Sequence, residues 1–129
     1  MNKTENEIGK IIVNAAFDIH RRLGVGLLES VYETVLSEQL KRQGLRVERQ
    51  VPISIKFDGQ CFENGFRADL IVNECVIVEL KSVEALNRSH RKQLQTYLKL
   101  SGLKLGFLIN FGDGYFKDAI SRVVNGLEE

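Results

Sequence analysis

Tryptophan is absent from this 129-residue chain, proline and methionine occur once each, and there are only two cysteines. Each scarcity excludes something. Without Trp the chain lacks the aromatic walls expected of a sugar groove, so a carboxylate pair here speaks poorly for glycoside hydrolysis. Cys61 and Cys75 lie in or beside strand-like runs without metal-ligand spacing. They read as reduced core residues, not as a disulfide framework or a zinc site. No apolar run approaches the roughly 20 residues that span a bilayer, so no membrane partner is expected. The net charge of +1 advertises no polyanionic partner, and any nucleic-acid surface has to be a local patch. Residues 1–10 are polar and acidic, unlike a secretory signal, which points to the cytoplasm. Repeats, linkers and low-complexity runs are missing as well. What remains is an ordinary globular composition and one expected domain, residues 1–129, long enough for a real core.

The most informative stretch that is present runs from Arg67 to Lys81. Two Val-, Ile- and Leu-rich runs, Leu70-Ile71-Val72 and Val76-Ile77-Val78, flank a polar connection, the pattern of a β-hairpin. Charges sit inside these strands: Asp69, Glu79 and Lys81. Alternation puts Glu79 and Lys81 on one face with Leu80 on the other. Register decides where Asp69 falls. A two-residue turn at Asn73-Glu74 would set it opposite Val78. A three-residue loop centred on Glu74 sets Asp69 opposite Glu79 and Arg67 opposite Lys81. The second register also gathers Leu70, Val72, Val76, Val78 and Leu80 on one apolar face. A slip of one residue breaks that set, so the apolar pattern selects it.

Around this hairpin the chain reads α-α-β-β-β-α-β-α. Thr4 and Glu7 have capping-box spacing ahead of a helical stripe from Ile8 to Leu23, ended by Gly24. A second helix runs from about Leu27 to Gln43, closed by Gly44. Residues 46–57 form a strand in which Pro52 implies an edge or a bulge. Asp58-Gly59 signals a hairpin, and Asn64-Gly65 a bulge before the charged stretch. Asn87 or Ser89 can cap a third helix reaching Leu100, with Gly102 as its stop. Residues 104–110 make a buried strand. Phe116, Ala119, Ile120, Val123 and Val124 have the spacing of a final amphipathic helix. The expected architecture is a mixed four-stranded sheet in the α/β (α+β) class, flanked by helices.

Two carboxylates and a lysine on one sheet face allow three readings. Lys81 and Arg67 could neutralise Asp69 and Glu79 as a structural salt-bridge cluster. A metal-free carboxylate pair is the second. In the third, the acids hold a hard divalent cation such as Mg²⁺ or Mn²⁺, which takes oxygen ligands and keeps several waters, while Lys81 serves a phosphoryl oxygen or an attacking water. Arg88, His90, Arg91 and Lys92 crowd the start of the third helix, either as a solvated helix end or as a phosphate-binding patch. Glu29 lies on the same side of its helix as Tyr32 and Leu36, although a first-turn carboxylate commonly just favours the helix dipole.

Gly26-Leu27-Leu28-Glu29-Ser30-Val31-Tyr32 fits G-x-x-E-x-x-Y and resembles the GxxExxY proteins of the PD-(D/E)XK nuclease superfamily. The resemblance covers nearly the whole chain. It implies a restriction-endonuclease-like core and metal-dependent hydrolysis of nucleic acid, with DNA favoured over RNA. Asp69 matches the acid of the first catalytic strand. Glu79-Leu80-Lys81 matches the (D/E)-x-K tripeptide, whose middle residue offers its carbonyl to Mg²⁺ or Mn²⁺. Gln93 and Tyr97 look like the Q-x-x-x-Y motif of the RecB-like branch, which positions the acids, the lysine or a phosphate. Glu29 matches the helix acid that reaches the metal in several branches. Ala68 stands where the superfamily's name has Pro. Arg67, Arg88, His90, Arg91 and Lys92 are the expected nucleic-acid contacts. A homodimer or an accessory protein partner is compatible with the small size. The contrasting expectation is a catalytically idle module that binds nucleic acid or protein through the same fold.

Overall fold

Apolar periodicity and end signals define the first helices of the computed structural model, which describes residues 3–128, the side chain of Asn64 excepted. Helix α1, Glu5–Leu23, starts at a complete capping box between Thr4 and Glu7 and stops at Gly24 with φ of +70°. Helix α2 spans Glu29–Arg42 and buries Tyr32, Leu36 and Leu40. The Tyr32 ring stacks on Phe111, with centroids 4.3 Å apart and planes 3° from parallel. Such a pair adds about 0.5–1.5 kcal/mol beyond its burial.

Strands β1 (Val47–Phe57), β2 (Gln60–Val72) and β3 (Val76–Lys81) form an antiparallel meander. Pro52 is accommodated because β1 is an edge of the sheet, where a missing N–H costs no ladder bond. Asp58 and Gly59 turn the first hairpin with φ of +50° and +75°. Between Ile53↔Phe66 and Ile55↔Phe62 the register shifts, so β2 carries extra residues at the Asn64-Gly65 dipeptide. A Cβ on Gly65 would lie 2.4 Å from Ile55 Cγ1, so only glycine lets the bulge close against β1. The second hairpin has a three-residue loop, with Leu70 opposite Val78 and Val72 opposite Val76.

Helix α3, Arg88–Ser101, is the crossover that brings β4 (Leu105–Asn110) parallel to β3. The end of the chain differs from the expectation of a fourth long helix. Residues Phe116–Ala119 make one helical turn, α4, and Ile120–Val124 form a fifth strand antiparallel to β4. The sheet therefore has five strands in the order β1-β2-β3-β4-β5, not four. The spacing of Ile120, Val123 and Val124 suits a helix face, but these β-branched residues also suit a strand. The fully buried β4 needs a second partner for its backbone groups, and that need decides between the two.

Helices α1 and α2 pack on one face of the sheet, over Leu70, Val72, Val76, Val78 and Leu80. Helix α3 covers the other with Leu94 and Leu98, over Ile71, Ile77 and Leu108. The cysteines are free, but only Cys75 touches the core. Cys61 is exposed near the tip of the β1–β2 hairpin, outside the packed core.

Candidate active site

Beyond Val78 the β2–β3 ladder passes to side chains. The backbone N–H of Leu80 donates to Asp69 Oδ2 at 2.8 Å. The N–H of Asp69 donates to Glu79 Oε1 at 3.2 Å. Two acids thus occupy places that carbonyl oxygens hold in an ordinary antiparallel pair. Asp69 is half-buried, and Glu79 is 7% exposed. Burial is the main force that pushes the Glu79 carboxyl up from 4.5 to about 8. The Asp69 charge adds to it, while the Asp69 N–H and the Lys81 ammonium pull the other way. Like charges in a desolvated place favour one shared proton over two anions.

Lys81 stands half-buried at the end of β3, opposite Asn110 of β4. A structural salt bridge would need Lys81 or Arg67 at ion-pair distance from the acids. Among the described residues, ion pairs closer than 4.0 Å fall on Asp18 and Glu33, and none includes Asp69, Glu79, Lys81 or Arg67. The cluster is thus a close carboxyl pair, not a closed ion-pair knot. Its oxygen donors suit a hard divalent cation, whose charge would offset the burial and the Asp69 repulsion that raise Glu79. Asp69, Glu79 and the Leu80 carbonyl are the groups that would hold it. Among the described residues no three His, Cys, Asp or Glu side chains converge as a metal cage.

Helix α3 brings Tyr97 beside the acids. The ring stacks on Phe66 of β2 with centroids 3.6 Å apart. Burial, then the charges of Glu79 and Asp69, raise its hydroxyl, while neighbouring Gln93 acts in the opposite direction. Gln93 and Tyr97, four residues apart, share a helix face.

Other expected residues land differently. Glu29 is exposed at the first position of α2, where its charge favours the helix dipole. The acid of that helix joined to the cluster is Glu33, one turn on, buried and bonded to Gln50 and Arg49. The two share a helix face, so position along the axis separates them: Glu29 is the exposed first residue of α2, and Glu33 lies one turn further in, next to buried Tyr32. Arg88, Arg91 and Lys92 are exposed on the first turns of α3, and Arg67 is exposed opposite Pro52. His90 instead closes its own helix: its Nδ1 accepts the Asn87 N–H at 3.2 Å. Asn87 Oδ1 in turn takes the N–H groups of Ser89 and His90, so these helix-end donors are already satisfied within the chain.

Sequence reasoning missed two supports. Asn110, wholly buried, accepts from the N–H groups of Val83 and Gly112 and donates to the Val83 carbonyl. A Cβ on Gly112 would lie 2.3 Å from that carbonyl. This clamp fixes the chain two residues beyond Lys81. The signal was a lone polar residue inside an apolar run, two positions before a glycine. The second support is the α1–α2 joint. Tyr32 donates its hydroxyl to the Gly24 carbonyl at 2.5 Å, and Ser82 Oγ donates to the Leu27 carbonyl at 2.8 Å. The Gly26-to-Tyr32 segment therefore braces the end of β3.

A strand-borne acid thus meets a second acid two residues before a lysine, and the crossover helix brings Tyr97 near both. A family model for the PD-(D/E)XK nuclease superfamily matches residues 6–123, and the chain belongs to that superfamily. Nucleases of this superfamily typically use divalent metal ions. The crystal structure of SSO0001 is similar in fold, with a TM-score of 0.53 at 21% identity. The match covers 96% of this chain and 61% of that one, so this chain spans under two thirds of its length. No curated protein matches the chain. Among the described residues no helix is long and apolar enough to cross a membrane.

Proposed function

We propose that the protein is a metal-dependent nuclease of the GxxExxY type, in the RecB-like branch, that hydrolyses phosphodiester bonds, with DNA ahead of RNA. The observation that carries this reading is the crossed bonding of Asp69 and Glu79, which sets two carboxyl groups side by side, with Lys81 two residues after Glu79 on the same strand. Asp69 and Glu79, with the Leu80 carbonyl, would hold Mg²⁺ or Mn²⁺. When bound, the cation supplies Lewis acidity at the phosphate and makes water more acidic. Lys81 orients the attacking water and offsets charge building on the phosphoryl oxygens. Tyr97, fixed by its stack on Phe66, and Gln93 orient the acids and a substrate phosphate. Arg88, Arg91, Lys92 and Arg67 bind the flanking backbone, a contribution that weakens as salt rises.

Cleavage of plasmid, linear duplex, single-stranded DNA and RNA, each with Mg²⁺, Mn²⁺ or chelator, tests the reading. Metal-dependent scission that chelator stops is expected. Nucleic-acid binding with no scission under any condition would leave a binding module on a nuclease fold.

A further inference from the structure

Four non-glycine residues have φ in the left-handed region among the described residues: Gln50, Asp58, Asn73 and Glu74. The last three sit in hairpin loops, where such values are ordinary. Gln50, at +52°, lies inside β1. A side-chain-bearing residue keeps that conformation only where its surroundings over-determine it, and such places cluster at functional sites.

The surroundings are specific. Arg49 pairs with Leu70 and Val51 with Ala68, so Gln50 faces Asp69. Leu70 belongs to the core under α1 and α2, yet Ala68, two residues away, belongs to the core under α3. Residues two apart in a regular strand share a face, so the strand pair turns over at Gln50 and Asp69. The Gln50 side chain spans the turn. Its Nε2 donates to Glu33 Oε1 at 2.7 Å and to Asp69 Oδ1 at 3.3 Å. Only an NH₂ group can meet two carboxylates, which fixes the orientation of the amide. Arg49 holds the other oxygen of buried Glu33 at 3.0 Å, so the far end of the bridge is anchored.

We propose that Gln50 is a positioning residue of the acid pair: its left-handed backbone carries the amide between Glu33 and Asp69 and sets how the Asp69 carboxylate faces Glu79. Its consequence for cleavage rests on the nuclease reading; its consequence for Asp69 does not. The Leu80 N–H, bonded to Asp69 Oδ2 at 2.8 Å, reports that carboxylate directly.

The test compares Gln50→Met, which keeps the length but removes the donor, with Gln50→Gly, which also accepts positive φ freely. Amide spectra of the metal-free proteins should show the Leu80 proton moved upfield and exchanging faster in both variants. Cleavage should fall by about tenfold or more, as for supporting partners of metal-site residues. If Gln50→Gly does not fold, Gln50→Met decides alone. An unmoved Leu80 amide overturns the proposal, whether or not the wild-type protein cleaves. A moved amide in a protein that cleaves nothing upholds it and defeats the nuclease reading instead.

Discussion

Asp69 and Glu79 are coupled through a backbone amide: the Asp69 N–H donates to Glu79 Oε1 at 3.2 Å, and burial, with the charge of Asp69 added, raises the Glu79 carboxyl to about 8. The same pair that would hold a cation is therefore in tension without one.

The first prediction is a pH dependence of stability in chelator. The folded Glu79 carboxyl binds its proton more tightly than the unfolded one, at about 8 against 4.5. Its contribution is fully present below about 4.5 and is lost as pH rises towards 8. Stability should fall across that window by an amount on the order of a few kcal/mol. Glu79→Gln should flatten the curve, and saturating Mn²⁺ should flatten it in the wild type. Urea unfolding at a series of pH values checks this; a wild-type curve already flat in chelator would contradict the tension.

Glu79→Gln and Lys81→Ala separate chemistry from scaffold. Both should abolish detectable cleavage, while DNA binding persists. Mn²⁺ affinity, measured calorimetrically, should drop in Glu79→Gln and be largely kept in Lys81→Ala. Breaking a buried ion pair costs about 3–5 kcal/mol. Among the described residues Lys81 makes no ion pair closer than 4.0 Å, so its removal should change the metal-free melting temperature little. A loss of that larger size in thermal melts would restore the salt-bridge reading.

Tyr97→Phe keeps the stack on Phe66 and removes only the hydroxyl near the acids. Stability should change by less than about 1 kcal/mol, since a net hydrogen bond is worth about that. Cleavage should fall with the substrate concentration for half-maximal rate nearly unchanged. Steady-state kinetics check this, and full activity would make Tyr97 a packing residue.

Asn110→Ala deprives the Val83 N–H, the Val83 carbonyl and the Gly112 N–H of their partner. Each buried polar group left unsatisfied costs about 1–3 kcal/mol. The variant should therefore be among the least stable single substitutions near the site. Denaturant midpoints measure it, and a loss under about 1 kcal/mol would mean that water replaces the clamp.

The sequence by itself determined what local chemistry and period two can determine. The capping box at Thr4, the Asp58-Gly59 turn and the glycine stops at Gly24 and Gly102 each follow from a few neighbouring residues. The register of the second hairpin was legible because one slip would have scattered Leu70, Val72, Val76, Val78 and Leu80 between two faces. That register alone placed Asp69 beside Glu79. The tertiary structure decided the rest. Ile120 to Val124 became a strand because β4 needed a second partner, a demand set by distant residues. Glu33, not Glu29, joined the cluster because the angle at which α2 meets the sheet cannot be read from its own periodicity. Gln50 took its strained place only because Glu33, Arg49 and Asp69, scattered along the chain, meet around it. Local rules favour the unstrained backbone, so a residue held against them becomes visible only once its partners are assembled.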